Sequence, residues 1–460
     1  MKHIILCFFC FTQFLCTVGR AQNLSTQIEA LLSDPLFDDS DVSIAVYDLD
    51  ADTMLYTHRA QKLCRPASVM KIITSTVALK RLGCDYTVDT HLYSKENVSG
   101  RHNLYIKGSI DPLFSEEDLL EMSAALPEGM EVDTLFADCT FMDSIHWGPG
   151  WSWDDTPWEF QPYISPLMLN GGCVEVCATP SSPGAPPTVE CRPQSDFYTI
   201  ANEAVSHGKR GEKFTILRDW LNNSNVIRLR GDCNAPKSEK MNLYPSQDFF
   251  ITVMRERLAE RGIRISNIAT STTPKEATLI AIKQRPICDI IHEALMESNN
   301  LCAEALSYHL GALYGKFPVS QKRGPDIMEG FLEYNTKAPE RFNIADGSGL
   351  SLYTYLSAEM LVEVLKLAHT DTIARDIIIA GLPQSGISGT MKHRTKNTPA
   401  YKKIFAKTGT VKGVCTLAGY AQTPNGHTLA FAILNQGSME PRRVRNWQDK
   451  LCNVLCENMY

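Results

Sequence analysis

The sequence predicts a mixed α/β (α+β) fold in a chain long enough for several domains. Three observations carry this. Strand-like runs lie near both ends of the chain, helical periodicity returns between them, and the composition is that of a globular protein. The 460 residues are 44% hydrophobic and 21% charged, with a net charge of -7. That charge, and the lack of a long basic run, argue against nucleic acid as a partner. No apolar stretch reaches the roughly 18 residues that a membrane-spanning helix needs.

The first residues, "MKHIILCFFCFTQFLCTVGRAQ", have a basic start, an apolar middle and small residues at Gly19 and Ala21. They read as a secretory signal peptide, residues 1–21, cleaved after Ala21. The chain is therefore expected to be exported to a periplasm. Three of the 15 cysteines lie in this segment. The even number left permits disulfides without forming a dense framework. "CVEVC" (Cys173, Cys177) has the wrong spacing for a zinc knuckle and alternates like a strand.

Next comes a short amphipathic helix at "STQIEALL", then strands "VSIAVYDL" and "TMLYTHR" across the turn "DLDADT". "RPASVMKIITST" is helical, with Pro66 near its first turn. The middle holds the strand "RHNLYIKGSIDPLF", a tryptophan cluster in "WGPGWSWDDTPW" and a proline-rich loop, "ATPSSPGAPP". "KFTILRDWLNNSNVIRLRGD" reads as a hairpin and "DFFITVMRERLAERGI" as a helix stopped by glycine. Helices return at "PICDIIHEALMESNNLCAEALSYHLG". Three strands, "IFAKTGTV", "GVCTLAGYAQ" and "HTLAFAILNQ", and an amphipathic helix close the chain.

Three constellations carry chemistry. Ser68 and Lys71 are three residues apart on an almost wholly apolar helix. Residues at that spacing share a face. Burying a lysine is costly and lowers its pKa, and a neutral lysine can act as base for a serine hydroxyl. The pattern alone is common: about one or two Ser-x-x-Lys matches are expected by chance. "KTGT" (Lys407, Thr408, Gly409, Thr410) lies on an expected strand. Its glycine lets another backbone approach, so a peptide could lie alongside as an added strand. "ESNN" offers Ser298 and Asn300, a hydroxyl and an amide, in a place where a simple helix cap would also suit. The ordered set Ser-x-x-Lys, Ser-x-Asn, Lys-Thr-Gly is far more specific than its parts.

At these residues the chain resembles penicillin-binding proteins. Ser68 and Ser298 are 230 residues apart, too far for a simple β-lactamase. This spacing, with "GSIDP", "GPGWSWDD", "ADGSGLS" and "LPQSGISGTMKHR", resembles the S13 peptidases, the class C low-molecular-mass penicillin-binding proteins of the penicillin-binding protein 4 type. The resemblance implies a transpeptidase-like domain, residues 24–85 and 275–460, with an antiparallel sheet flanked by helices. It also implies two nested insertions, at 86–175 with 235–274, and at 176–234. The implied activity is that of a serine-type D-alanyl-D-alanine carboxypeptidase/endopeptidase on peptidoglycan stem peptides, with β-lactams as covalent inhibitors and no metal or cofactor. Ser68 would be the nucleophile, Lys71 its base, and Ser298 the proton relay tuned by Lys407. Asn300 would hold the substrate amide, Thr408 and Thr410 its carboxylate, and the Ser68 and Thr410 N–H groups the oxyanion.

Two departures stand out. Leu352 occupies a position where family members often carry arginine, and Lys412 one where some carry glutamine. The resemblance puts Asp155 beside the site, which suggests that Asp155 and Lys412 read an amine and a carboxylate on one side chain of the stem peptide. A β-lactamase or esterase of the same fold, and a non-catalytic peptidoglycan-binding module, are the alternatives. Homo-oligomer formation is left open.

Overall fold

The structure is a computed structural model, and it describes residues 24–208, 211–337, 339 and 341–460. The signal peptide expected at 1–21 lies outside the described residues. The two ends of the chain build one sheet. Five strands run antiparallel in the order Ile404–Val411, Val414–Gln422, Thr428–Gln436, Asp41–Asp48 and Thr53–His58. Asp41–Asp48 pairs with Thr428–Gln436, Ala45 opposite Ala432, so the first and last strands of the chain sit side by side at the centre.

Period-two alternation gives this sheet two apolar faces. Ile44, Val46, Leu417, Phe431 and Ile433 point to one side, under the helix at 24–32 and the C-terminal helix Pro441–Glu457. The latter buries Val444, Trp447, Leu451 and Leu455 in one stripe. Ala45, Tyr47, Ala418, Tyr420, Ala432 and Leu434 face the other way. They pack against helices that include Met70–Leu82, Ile287–Met296, Asn300–Ala312 and Ala358–Thr370. Met70–Leu82 is buried almost all round, as its sequence requires.

A second five-stranded sheet holds the inserted segments. Its order is Arg264–Thr270, Glu131–Asp138, His102–Lys107, Thr87–Glu96 and Thr278–Pro286, with parallel and antiparallel pairs. Smaller sheets follow, including the three strands Lys237–Asn242, Cys173–Thr179 and Thr188–Arg192. One apolar core joins the two groups, from Leu92 and Leu135 to Val176 and Ile227.

Two of the expected limits fall beside or inside strands of these sheets. The limit at 274/275 precedes Thr278–Pro286, which pairs along Thr87–Glu96; the chain returns to the first sheet's layers only at Ile287. The limit at 175/176 cuts through Cys173–Thr179, which is hydrogen-bonded on both sides. Composition marks loops well, but a strand belongs where its backbone donors and acceptors are satisfied. The cysteines among the described residues are all unpaired.

Candidate active site

Pro66 leads into a single 3-10 turn, Ala67–Val69, which runs on into Met70–Leu82. Ser68 sits in that turn, half-buried, and Lys71 one turn later is fully buried. The Lys71 Nζ lies 3.0 Å from Ser68 Oγ, 2.6 Å from Asn300 Oδ1 and 2.9 Å from the Ser348 carbonyl oxygen. The last two can only accept. A neutral amine has two N–H bonds and one lone pair. Both N–H bonds are then used on carbonyl oxygens, and the lone pair faces the Ser68 hydroxyl. Burial pulls the Lys71 pKa down to about 8, and the carboxylates of Asp346 and Glu304 oppose that fall.

Across the cleft, Ser298 breaks the helical run. It adopts φ +65°, between the helices Ile287–Met296 and Asn300–Ala312. The fully buried Lys407 Nζ donates to Ser298 Oγ and to the Thr408 carbonyl, both at 2.8 Å. Burial, and then the nearby Lys71, hold its pKa well below that of an ordinary lysine. Asn300 accepts from Lys71 and donates to the Phe160 carbonyl at 2.5 Å. Asn299 supplies the cap, accepting from the Cys302 N–H. The helix-cap alternative thus belongs to the residue between Ser298 and Asn300.

Gly409 shows why the third motif needs glycine. A Cβ there would lie 2.2 Å from Thr416 Oγ1, 2.9 Å from the Ser68 amide nitrogen and 3.0 Å from the Pro66 carbonyl oxygen. The strand therefore presses against the turn that carries Ser68. Thr416 strengthens the junction by donating to the Pro66 carbonyl at 2.7 Å. Ile404–Val411 is an edge strand, and its outer side is bridged at Phe405 by Gln384. Thr408 donates to Thr390 Oγ1 at 2.7 Å, and Thr410 is exposed beyond it.

Glu304 and Asp346 support this centre, and the sequence reading missed both roles. Glu304 is buried and accepts from the Gly347 and Ser348 N–H groups, which sets the carbonyl that Lys71 uses. Burial, and then Asp346, raise the Glu304 pKa. Asp346 accepts from the Gly349 and Ser351 N–H groups, the Ser348 and Thr354 hydroxyls and the Trp151 indole. The signal for Glu304 was present: it follows Asn300 by four residues on one helix, hence on one face.

Trp151 ties the tryptophan loop to this frame, with Ser351 donating to the Pro149 carbonyl and Leu352 N–H to that of Gly150. Asp155 lies in a short 3-10 turn between that anchor and Phe160. Burial, and then Asp154, raise its pKa. Lys412 is exposed in the turn after "KTGT". No ion pair joins Asp155 to Lys412 among the described residues.

A serine and a buried lysine at bonding distance, a second serine–lysine pair opposite and an edge strand between them define a serine hydrolase of the penicillin-binding class. The family model described as "D-Ala-D-Ala carboxypeptidase 3 (S13) family" matches residues 24–457. The chain belongs to that family. It is 28% identical to the D-alanyl-D-alanine carboxypeptidase of Actinomadura sp. (strain R39) over 451 residues, 92% of this chain and 82% of the relative. It is 22% identical to D-alanyl-D-alanine carboxypeptidase DacB of Haemophilus influenzae, over 88% of this chain and 87% of the other. Among solved structures, penicillin binding protein 4 of H. influenzae superposes with a TM-score of 0.79 at 19% identity, covering 95% of this chain and 98% of that one. The penicillin G-acylated predatory endopeptidase of Bdellovibrio bacteriovorus superposes at 0.51 and 17% identity, covering 91% and 95%.

Proposed function

We propose that this chain hydrolyses D-alanyl-D-alanine-type bonds in peptidoglycan stem peptides through an acyl-enzyme on Ser68, and that β-lactams trap the same serine. The observation that carries this reading is the surroundings of Lys71, with two carbonyl acceptors and one serine hydroxyl around a buried amine. Lys71 takes the Ser68 proton as Oγ attacks the substrate carbonyl. The Ser68 and Thr410 N–H groups face the developing oxyanion, a contribution of a few kcal/mol. Both N–H bonds of a neutral Lys407 are used on Ser298 Oγ and the Thr408 carbonyl. The Ser298 hydroxyl gives its proton to the leaving nitrogen as the C–N bond breaks and regains one from Lys71, which returns to the neutral amine. Water next attacks the ester and gives up a proton to Lys71; that proton passes to Ser68 Oγ as the ester bond breaks and the carboxylate product leaves.

Asn300 must release the Phe160 carbonyl to hold a substrate amide, while Thr408 and Thr410 hold the terminal carboxylate. Asp155 and Lys412 select the stem's side-chain end. Export to the periplasm is part of the reading: no described helix is long and apolar enough to cross a membrane, and the first 21 residues have the pattern of a signal peptide. The test is intact-mass spectrometry after incubation with benzylpenicillin, followed by peptide mapping. The adduct is expected on Ser68 and absent from Ser68→Ala. An adduct that persists in Ser68→Ala overturns the assignment.

A further inference from the structure

The chain leaves the layers around the first sheet after the helix Met70–Leu82 and returns to them at Ile287. The two crossings lie side by side. Thr87 pairs with Pro286 at the end of the inserted sheet, and one step further the Ile287 N–H donates to the Tyr86 carbonyl at 2.9 Å. A cysteine stands close to this last bond on each crossing. Cys84 follows Gly83, which ends Met70–Leu82 with φ +88°, and Cys288 is the second residue of Ile287–Met296. The Cys288 thiol donates to the Cys84 carbonyl at 3.7 Å, across 204 residues of sequence. We propose that Cys84 and Cys288 form a disulfide in the exported protein, and that this bond closes the neck of the inserted segments. The inference goes beyond the activity proposed above and takes from it only the export.

Two other pairs of cysteines lie near enough to feel each other's charge, Cys177 with Cys191 and Cys452 with Cys456. Geometry rules out both. Cys177 is opposite Glu190 and Cys191 opposite Val176, so their sulfurs leave opposite faces of the sheet. Cys452 and Cys456 are one turn apart on a single helix, where Cβ atoms stand about 5–6 Å apart. A disulfide needs them at about 3.5–4.5 Å. Cys84 and Cys288 are under neither constraint. One lies in a turn and the other in the first turn of a helix, and both are half-buried, so a disulfide donor can reach them. Burial, and then the charge of Cys84, ahead of Asp289 and Asp85, push the Cys288 thiol up. Joining the two sulfurs removes that like-charge pair.

The oxidant is a disulfide of the exported compartment, small-molecule or protein. The thiolate of one cysteine attacks it, which forms a mixed disulfide and releases one thiolate. The thiolate of the other cysteine attacks the sulfur that the chain holds, which closes the bond and releases the second. The two released thiolates take up the two protons that the cysteines gave up. The cysteine pair loses two electrons and the donor gains them.

The bond would act on both halves of the molecule. It closes a loop that contains the whole insertion, and long loops are those whose closure removes most freedom from the unfolded chain. It also ties the end of the helix that carries Lys71 to the start of the helix that ends beside Ser298.

The test uses the mature chain, equilibrated with oxidised or reduced glutathione, alkylated, and digested without further reduction. Mass spectrometry of the oxidised chain is expected to find the peptides of Cys84 and Cys288 joined, two hydrogens lighter than the free pair. After dithiothreitol they should be separate and alkylated. On a non-reducing gel the oxidised chain should run ahead of the reduced one, because the closed loop keeps the unfolded chain compact. Reduction should lower the thermal midpoint by about 3 °C or more. The double variant Cys84→Ser, Cys288→Ser should show neither the gel shift nor the loss on reduction; if it does not fold, mapping of the unaltered chain decides. Recovery of both peptides alkylated from the oxidised chain overturns the inference, and so does either cysteine joined to a different one. A joined pair with an unmoved midpoint overturns the closing of the neck. Benzylpenicillin acylation of the oxidised chain reads the proposed function separately: its absence beside an intact Cys84–Cys288 bond overturns that function and spares this inference.

Discussion

Lys71 and Lys407 are both fully buried, and each holds a serine oxygen within 3.0 Å, yet their surroundings differ. Lys71 shares a helix with its serine, has two further oxygen acceptors and feels the carboxylates of Asp346 and Glu304. Lys407 reaches a serine 109 residues away in sequence, has one further acceptor, and feels Lys71 as a neighbouring cation. Carboxylates hold the first lysine within reach of a proton at working pH. The second lysine, beside a cation, is pushed more firmly towards the neutral amine. The same residue type is thereby set up as a proton acceptor at one place and as a hydrogen-bond donor that orients Ser298 at the other.

The largest effect should come from removing the acceptor. Lys71→Ala is expected to slow benzylpenicillin acylation at least about a hundredfold, the usual scale for acid–base catalysis, while circular dichroism shows a folded protein. Lys407→Ala should slow acylation less, because Ser298 keeps its hydroxyl and loses only its orientation. Stopped-flow or quenched mass spectrometry on both variants decides this. Equal losses would erase the distinction between the two lysines.

Gly409→Ala should strike both pairs at once. Its Cβ would fall 2.2 Å from Thr416 Oγ1 and 2.9 Å from the Ser68 nitrogen, so the strand must back away from the nucleophile. Displacement of a reacting group by about 1 Å can cost a hundredfold, and a loss between about ten- and a hundredfold is expected here. If the thermal midpoint stays near normal while acylation falls, the glycine serves the close approach rather than general stability.

How much of this was legible beforehand depended on the distance over which each residue acts. Ser68 with Lys71 could be read because three residues on a helix fix a shared face. The alternation in "IFAKTGTV" and "GVCTLAGYAQ" placed both in a sheet. The return of Thr278–Pro286 to the inserted sheet could not be read, because its partner Thr87–Glu96 lies nearly two hundred residues earlier. Glu304 and Asp346 were hidden for a related reason: they act on backbone N–H groups and through burial, and neither leaves a motif. The asymmetry between the two lysines is therefore written mostly in residues that only the fold brings together.

Glu304 offers a finer test of that asymmetry. A lysine base works in its neutral form, so acylation should rise as pH rises through about 8, where Lys71 loses its proton. The Glu304 carboxylate raises the Lys71 pKa, so Glu304→Gln should move the midpoint of the pH–rate profile to lower pH. It should also destabilise the fold by about 1–3 kcal/mol, since glutamine offers one carbonyl oxygen to the two N–H groups that the carboxylate accepts. A lower thermal midpoint with an unmoved pH profile would leave Glu304 a purely structural group.

The smallest expected effect lies outside the two pairs and limits what they control. Asp155 sits between the Trp151 anchor and Phe160, without an ion pair among the described residues. Burial raises its pKa, so it gains from a cation that settles beside it. If it receives the free amine of a stem side chain, Asp155→Asn should lower kcat/KM on such peptides. A fully desolvated charged contact is worth about 1.5–3 kcal/mol, but Asp155 is only half-buried, so a loss of about three- to tenfold is expected. Lys412→Ala should act similarly on peptides with a side-chain carboxylate. Peptides with the side chain capped, and benzylpenicillin, carry neither charge and should react at near-normal rates. That pattern would place substrate selection in the inserted loop and the turn after "KTGT", leaving Lys71 and Lys407 to the bond itself. Equal losses on capped and uncapped peptides would instead show that Asp155 shapes the loop on which the whole site depends.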